Sequence, residues 1–352
     1  MKITIVSIRS AKACWSLGLL CLAVAFSPRG AEAITYGWTD ADGQSSDASK
    51  IAFHSSSQLE LLNGDMVKGY AHLTGGFAVE AGGEVYLSHL AAPVGGTILL
   101  RSGSALVVAG DLHLDSTAQW SMAGPASIDG GGGALILQGD LALPGETIAL
   151  ASTPWVIDGQ SHTVTFNAST LFALGGQTLT LRNMTIRGLT GSSQFSGTGA
   201  LVLENCTIDI GPGTTFTFNT ANLSIKGDTV LRGGGTFRFG GVGALTINLF
   251  STLRVEPETT LDYDCIARNL LVMSDETSTL ELDSCTLKAQ GMQGLQLAGG
   301  RVVVEGEVIA DNGANMNKDN GIQLGDGTMA VRMFFKSGSR FKVLGTLWYN
   351  KP

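Results

Sequence analysis

The sequence predicts an all-β protein folded as a right-handed parallel β-helix, a solenoid with coils of about 22 residues. Three observations lead to this fold class. An apolar pattern recurs at a fixed spacing, apolar and polar residues alternate within each repeat, and Asn or Gly stands where the chain must turn. The composition agrees, because 48 glycines, 15% charged residues and only 8 prolines suit short strands joined by tight bends.

The clearest repeat joins residues 179–186 to residues 201–208, which are offset by 22 and identical at five of eight positions. Alternation turns the leucines of each segment to one face of a strand. The asparagine that follows tolerates the left-handed backbone that a sharp bend requires. The predicted structural rung positions are Leu181, Leu203, Asn183, Asn205, Ile186 and Ile208.

The repeat continues through residues 223–230 and 245–247, loosens, and returns at 280–287 and 302–309. A second column runs at a spacing of 21 through Phe195, Phe216 and Phe237. One coil cannot bury its own apolar face, so the coils must stack. A β-sandwich is the alternative, but its strands have no reason to keep a constant register.

Two sets of motifs carry a family resemblance. Ile157-Asp-Gly-Gln-Ser-His-Thr-Val164, followed by Leu-x-Leu-x-Asn-x-Thr-Ile repeats, resembles the pectin-lyase-like superfamily of right-handed β-helices over about residues 95–310. Gly132-Gly-Ala-Leu135 and Phe216-Thr-Phe-Asn219 resemble the short repeats of chlamydial polymorphic outer-membrane passengers, once each. The resemblance implies a β-helix and raises two functions, a polysaccharide lyase or glycosidase and a surface passenger.

The N-terminal segment, residues 1–33, resembles an export signal. Lys2, Arg9 and Lys12 precede an apolar run over 13–26, and Ala31-Glu32-Ala33 matches a cleavage site. A membrane anchor is the alternative, but the run falls short of the ~20 residues that a spanning helix needs. We therefore expect an exported protein, whether secreted, periplasmic or at the cell surface.

The predicted organisation has four parts. Residues 1–33 form the signal peptide, 34–62 an N-terminal cap, 63–345 the parallel β-helix and 346–352 a C-terminal tail. An apolar cluster of Phe341, Val343, Leu347, Trp348 and Tyr349 is expected to close the last coil. The Gly/Asn/Asp-rich stretch 311–329 is expected to project as a loop from one bend.

The net charge of the mature chain restricts the classes of binding partner. Removing the signal leaves 18 basic and 29 acidic residues, a net charge of −11. A surface this acidic argues against nucleic acid and anionic lipid. No later segment approaches a transmembrane length. Surface glycans or proteins remain as expected partners.

No catalytic residue and no cofactor are predicted. The outward column Arg182, Glu204, Lys226 and Asn248 forms no carboxylate cluster, and Asp262 with Asp264 is interpreted as a solvated strand end. The five histidines (54, 72, 89, 113 and 162) lack metal-ligand spacing. Cys206 and Cys285 are expected to occupy the position of Met184, buried and inert.

Asp311, Asp319 and Asp326 are weak calcium candidates, because oxygen ligands in a loop suit that ion. A solvated loop without a metal is the favoured interpretation.

The sequence thus favours an exported, non-enzymatic scaffold for adhesion or cell-surface interaction. The alternative is a polysaccharide-active enzyme, lyase or glycosidase-like. An enzyme predicts two carboxylates, or a carboxylate and a base, from adjacent coils in an outward groove. A scaffold predicts plain Ser, Thr and Asn faces.

Overall fold

A computed structural model describes the strands within residues 2–129, and then residues 134–150, 153–191, 194–313, 321–329 and 331–350. Two compact units, Met1–Ile136 and Leu137–Pro352, are described separately. The described residues contain strands, turns and bends but no α-helix. Accordingly, no helix within them has the length and apolarity to cross a membrane.

The first unit contains two ladders of parallel strands. One consists of β1 (Lys2–Thr4), β2 (Gln58–Leu61), β4 (Gly76–Val79), β6 (Ala105–Val108) and β8 (Ala126–Asp129). The other consists of β3 (Met66–Lys68), β5 (Glu84–Leu87) and β7 (Asp111–Leu114). Strand β9 (Ala134–Leu137) spans the unit boundary.

The second unit stacks its strands in three columns. Column 1 contains β12 (Trp155–Asp158), the first halves of β15 (Thr178–Arg187) and β17 (Ala200–Asp209), β19 (Asn222–Lys226), β22 (Leu245–Ile247), β25 (Leu271–Met273), β28 (Leu295–Leu297), β31 (Ile322–Leu324) and β34 (Leu347–Tyr349). Column 2 contains β10 (Leu141–Ala142), β13 (Thr163–Thr165), the second halves of β15 and β17, β20 (Asp228–Arg232), β23 (Thr252–Val255), β26 (Thr279–Asp283), β29 (Arg301–Glu305) and β32 (Arg332–Phe335).

Column 3 contains β11 (Thr147–Leu150), β14 (Leu171–Ala173), β16 (Phe195–Ser196), β18 (Thr215–Phe218), β21 (Thr236–Gly241), β24 (Thr260–Cys265), β27 (Thr286–Ala289), β30 (Glu307–Asp311) and β33 (Arg340–Leu344). Each coil visits the columns in the order 1, 2, 3. We call the connection from column 1 to column 2 the first bend, from 2 to 3 the second bend, and from 3 back to 1 the third bend.

The pairing is parallel throughout, which confirms the predicted parallel β-helix. Leu179 pairs with Leu201, and Leu201 with Leu223, so these coils keep the spacing that the sequence repeat predicts. Later coils are longer, as the pairing of Val302 with Met333 shows. The coils average about 24 residues, because some bends lengthen while the strands keep their register.

Stacked inward side chains form the core. Leu181 packs on Leu203 and Ile186 on Ile208, each at most 2% exposed. An aromatic stack follows column 3 through Phe172, Phe195, Phe218, Phe239 and Tyr263, with ring centroids 5.7 to 6.5 Å apart. Like residues lie on like residues because each coil repeats the one before it.

Sharp one-residue bends occur at two different corners. Asn183, Asn205 and Gly227 adopt left-handed backbone (φ 53°, 53° and 59°) at the first bend. Ser284 and Gly306 (φ 43° and 61°) do so at the second bend.

The later repeats therefore share the sequence pattern of residues 179–186 without sharing their column. Leu280 stacks in column 2 between Leu253 and Val302, whereas Leu179 belongs to column 1. Met184 pairs with Cys206, but Cys285 follows the second bend. The expectation that both cysteines occupy the Met184 position is wrong for Cys285.

Three expectations about the C-terminal region are also wrong. The stretch 311–329 is not only a projecting loop, because it contains β31, whose Ile322 is fully buried. The ladder also continues through β34, inside the predicted tail. Leu347 and Tyr349 do not close the last coil, since they are 38% and 57% exposed.

Candidate functional site

Charged side chains on the outer faces pair between neighbouring coils. The Nε atoms of Arg182 and Arg238 each lie 2.8 Å from a carboxylate oxygen, of Asp158 and Asp262 respectively. Arg187 and Asp209 repeat this contact at 3.1 Å. Strands one coil apart are spaced by about 4.8 Å, so opposite charges in register meet directly. These pairs tie adjacent coils together.

Asp158 is largely enclosed, with its side chain 4% accessible, and it starts a ladder of hydrogen bonds at the first bend. Its Oδ1 accepts from the Asn183 Nδ2 at 3.1 Å, and the Asn205 Nδ2 donates to the Asn183 Oδ1 at 3.3 Å. The Asp228 backbone N–H then donates to the Asn205 Oδ1 at 3.1 Å. Burial alone would raise the pKa of Asp158, but hydrogen bonds from Gln160, Asn183 and Arg182 together lower it. Asp158 is therefore held as a carboxylate, with a structural role.

A group of five ionisable side chains lies on the outer face of column 2. We call it the column 2 cluster, and it consists of Arg254, Glu281, Asp283, Glu305 and Lys336. The Lys336 Nζ lies 2.9 Å from Glu281 and 2.5 Å from Glu305, while Arg254 lies 3.3 Å from Asp283. Four coils thus contribute three carboxylates and two cations.

The charges of the column 2 cluster oppose acid–base chemistry. The hydrogen bond from Lys336 lowers the pKa of Glu305, and the same bond raises the pKa of Lys336. Glu305 therefore stays ionised and Lys336 protonated at neutral pH, so neither is poised to transfer a proton. This cluster lies outside the column of Arg182, to which the sequence-based prediction was confined. The cluster could have been found from the alternation of Leu280-Glu-Leu-Asp-Ser284 and Val302-Val-Val-Glu-Gly306. When these segments are aligned, Glu281, Asp283 and Glu305 fall at outward positions.

Asp262 departs from its interpretation as a solvated strand end. It is 1% exposed on β24, and its Oδ1 is a buried atom without a hydrogen-bond partner. Only Asp264 is exposed, with its side chain 47% accessible and 4.0 Å from Arg238. Lys288 follows Asp262 in the register, so cations flank this acid along the column.

The two described calcium candidates, Asp311 and Asp326, each accept backbone hydrogen bonds within a local turn. The Asp326 Oδ1 accepts from the backbone N–H groups of Thr328 and Met329 at 2.7 and 2.6 Å. The Met329 N–H is the largest cause that lowers the pKa of Asp326. The Asp311 Oδ1 accepts from the Gly313 N–H at 2.8 Å, and Asp319 lies outside the described residues. Within the described part, no three His, Cys, Asp or Glu side chains are grouped to hold a metal ion.

The three cysteines within the described residues are enclosed thiols. Burial raises the pKa of Cys206, Cys265 and Cys285, each to about 12, so none is a thiolate at neutral pH. His162 lies 3.9 Å from Asp140 at the surface. His113 lies in β7, while His54, His72 and His89 lie outside the described residues.

Exposed apolar side chains form a row at the third bend. Gly241 pairs with Cys265, and Gly291 lies against Cys265, so the residues that follow them occupy equivalent places on three successive coils. These residues, which we call the apolar row, are Val242, Ile266 and Met292, exposed by 71%, 54% and 80%.

A second apolar feature lies at the first bend. Leu249 and Phe250 are 56% and 81% exposed beside a shallow groove of about 460 Å³. Glu204, Lys226 and Asn248 also line this groove, so the polar column considered from the sequence lies at its side.

No protein-family model matches the chain, and neither a curated protein nor a solved structure matches it. The fold is therefore established by the strand ladders themselves, as an all-β parallel solenoid.

Proposed function

We propose that this chain is an exported, non-enzymatic β-helix scaffold that binds surface glycans or proteins through side chains at its bends. The apolar row is the observation that carries the proposal. Three large apolar side chains stand exposed on successive coils, where a folded protein would otherwise favour polar residues. Bends on a rigid scaffold are also where recognition residues commonly lie.

The ionic pairing of the outer faces supports the absence of catalysis. Glycosidases need two carboxylates about 5 to 9.5 Å apart, one of them able to donate a proton. In the column 2 cluster the carboxylates contact Arg254 or Lys336, and the hydrogen bond from Lys336 lowers the pKa of Glu305. Such pairs hold coils together and leave no acid–base couple.

A binding comparison tests the scaffold. The purified chain is applied to wells coated with polygalacturonate, chitin or fibronectin, together with a variant carrying Val242→Ser, Ile266→Ser and Met292→Gln. We expect retention on at least one coating and about a tenfold loss in the variant, equivalent to about 1.4 kcal/mol of binding free energy. A control with Met329→Gln and Leu344→Ser, which changes exposed apolar residues elsewhere, should bind normally. Equal loss in both variants would remove the apolar row from the proposal.

The second candidate function is a polysaccharide lyase or glycosidase, as the resemblance to the pectin-lyase-like superfamily implies. The presence of Glu281, Asp283 and Glu305 on adjacent coils beside two cations favours it. Incubation with a panel of acidic polysaccharides, followed by chain-length analysis, tests this activity. Turnover that disappears in a Glu281→Gln, Glu305→Gln variant would replace the scaffold by the enzyme.

Export has a separate test. The chain is expressed with its own N-terminus in a secretion-competent bacterium, and the recovered protein is sequenced from the amino end. We expect Ile34 as the first residue. Retention of Lys2 in the recovered protein would contradict export by cleavage.

A further inference from the structure

The first bend between β22 and β23 holds an aromatic ring in solvent. Leu249 and Phe250 are 56% and 81% exposed, and both line the shallow groove of about 460 Å³. Phe250 also has left-handed backbone (φ 54°), a conformation that is unfavourable for a residue with a bulky side chain. Strained backbone of this kind persists where the surrounding structure fixes it, and it concentrates at functional sites.

The two neighbouring coils fix this bend. The Thr277 Oγ1 of the following coil accepts from the Phe250 N–H at 2.8 Å. On the other side, the Asn248 Nδ2 donates to the Ser224 Oγ and to the Ile225 carbonyl oxygen, both at 2.7 Å. The Asn248 amide thus directs its donors to the scaffold and offers a ligand its Oδ1. Because the bend is already ordered, little conformational entropy is lost when a ligand binds to the ring.

Polar side chains of three successive coils line the same groove. Glu204 pairs in register with Lys226, and Asn248 follows on the next coil. The backbones of Glu204 and Lys226 lie one coil rise apart, about 4.8 Å. Within the described part of the chain, neither of these two charged groups is held in an ion pair. The groove therefore presents a free acceptor and a free donor beside an aromatic face, and its lining has no net charge.

This combination matches a neutral sugar ring. Sugar hydroxyls both donate and accept hydrogen bonds, and the C–H face of a sugar packs against the apolar face of an aromatic ring. A stable protein interface needs about 800 Å² on each partner with an apolar centre, whereas this groove has only two apolar side chains beside two charged ones. An anionic polymer is repelled by a chain with a net charge of −8.

From these features we infer that the first-bend groove binds one ring of a neutral polysaccharide. The sugar face packs on Phe250, and its hydroxyls bond to Glu204 and Lys226. Because the groove is shallow, it accepts a ring within a long chain and needs no free chain end. The inference rests on the proposed function, since it selects glycans from the two proposed classes of partner. It assigns them to a different bend from that of the apolar row.

Calorimetric titration with soluble oligosaccharides tests this site. The full chain is titrated with mannohexaose, laminarihexaose and cellohexaose, and with hexagalacturonate as the acidic probe of the same length. We expect saturable binding of at least one neutral probe, with an affinity that low and high salt leave unchanged. Salt has no effect because an uncharged ligand releases no ionic interaction to screen.

Phe250→Gly is the decisive variant. It removes the ring but keeps the N–H that bonds to Thr277, and glycine adopts positive φ without strain. The variant should therefore unfold at no lower urea concentration than the parent, yet bind the sugar at least about tenfold more weakly. Phe250→Tyr retains an aromatic face and should retain the affinity. Lys226→Met removes the ammonium group at nearly the same length and should weaken binding to a smaller extent.

The apolar-row variant is the matched control. A short oligosaccharide contacts one bend only, so this variant should bind it as the parent does. Three results would overturn the inference: no binding of any neutral probe, equal affinity of the parent and Phe250→Gly, and binding confined to hexagalacturonate and lost at high salt. Retention on fibronectin without binding of any sugar would leave the proposed scaffold standing and remove this site. Loss of retention on every coated surface would contradict the proposed function, but the titration would still decide the groove.

Discussion

Two groups of coils in the second unit make the same kind of one-residue bend, but at different corners of the coil. In the coils of Asn183, Asn205 and Gly227, one left-handed residue joins column 1 to column 2. In the coils of Ser284 and Gly306, one left-handed residue joins column 2 to column 3. The local pattern is the same, apolar–x–apolar–x–bend, and it specifies a strand followed by a bend. It does not specify which corner of the coil that bend makes.

Both groups also use a polar bend residue followed one coil later by glycine. A Cβ on Gly227 would lie 2.0 Å from the Asn205 Oδ1, and a Cβ on Gly306 would lie 2.0 Å from the Ser284 Oγ. Asn312 and Gly345 form a third such pair, in which the Asn312 Oδ1 accepts from the Thr346 N–H at 3.1 Å. Glycine leaves the space that the side chain of the previous coil fills.

The largest expected effect comes from filling this space. Gly227→Ala and Gly306→Ala should each lower the free energy of unfolding by about 3 kcal/mol, combining left-handed strain with overpacking. Gly213→Ala is the matched control, because Gly213 also has positive φ (74°) but its added Cβ would meet nothing within 4 Å. We expect only about 1 kcal/mol there. Urea unfolding measures all three.

Compensating variants sharpen this prediction. Asn205→Gly should restore part of the stability that Gly227→Ala removes, because it relieves the overpacking but not the left-handed strain, and Ser284→Gly should do the same for Gly306→Ala. If Gly227→Ala proves no more harmful than Gly213→Ala, the packing of a bend side chain against glycine is not what holds these coils together.

The next largest expected effect is a difference in stability between substitutions at the bend residues of the two groups of coils. Asn205→Ala should cost about 2 kcal/mol, since it loses hydrogen bonds and places alanine in a left-handed conformation. Ser284→Ala should cost about 1 kcal/mol, because the Ser284 Oγ bonds only to the neighbouring Asp283 at 3.1 Å. Urea unfolding at constant pH measures both. Equal losses would show that the amide ladder adds nothing beyond backbone geometry.

Low pH should destabilise the coils of the first group, those of Asn183, Asn205 and Gly227, through protonation of Asp158. Its pKa is lowered from the usual 3.8, so its contribution is present above that value and is lost as the pH falls through the folded-state pKa. Hydrogen exchange of β12 and β15 should accelerate steeply in this acid range. Asp158→Asn should flatten the pH dependence, and an unchanged slope would argue against the carboxylate as its source.

The smallest expected effect comes from the exposed ion pairs of the second group. Lys336→Gln should lower stability slightly at low salt and not at all at high salt, because exposed pairs are screened. Thermal unfolding at two ionic strengths measures the difference. A large, salt-independent loss would mean that Lys336 acts through packing instead.

The candidate surfaces were predictable only in part. The outward positions of Glu281 and Glu305 follow from strand alternation, so the sequence could have revealed the column 2 cluster. Lys336 could not have been placed there, because the coil that separates it from Glu305 is longer than the repeat and its bends have no fixed length. The apolar row could not be predicted either, because it lies on coils of unequal length that do not follow a sequence repeat.

The sequence by itself determined that this chain forms stacked parallel strands, since alternation and a left-handed bend residue are local properties that recur in successive coils. It determined the pairing of Leu181 with Leu203 because the coil between them has the standard length. Only the tertiary structure decided that Leu280 belongs to column 2 and that Asp262 is buried. The physical reason is that bend lengths vary while strand register does not, so a residue's column and its neighbours depend on every coil before it.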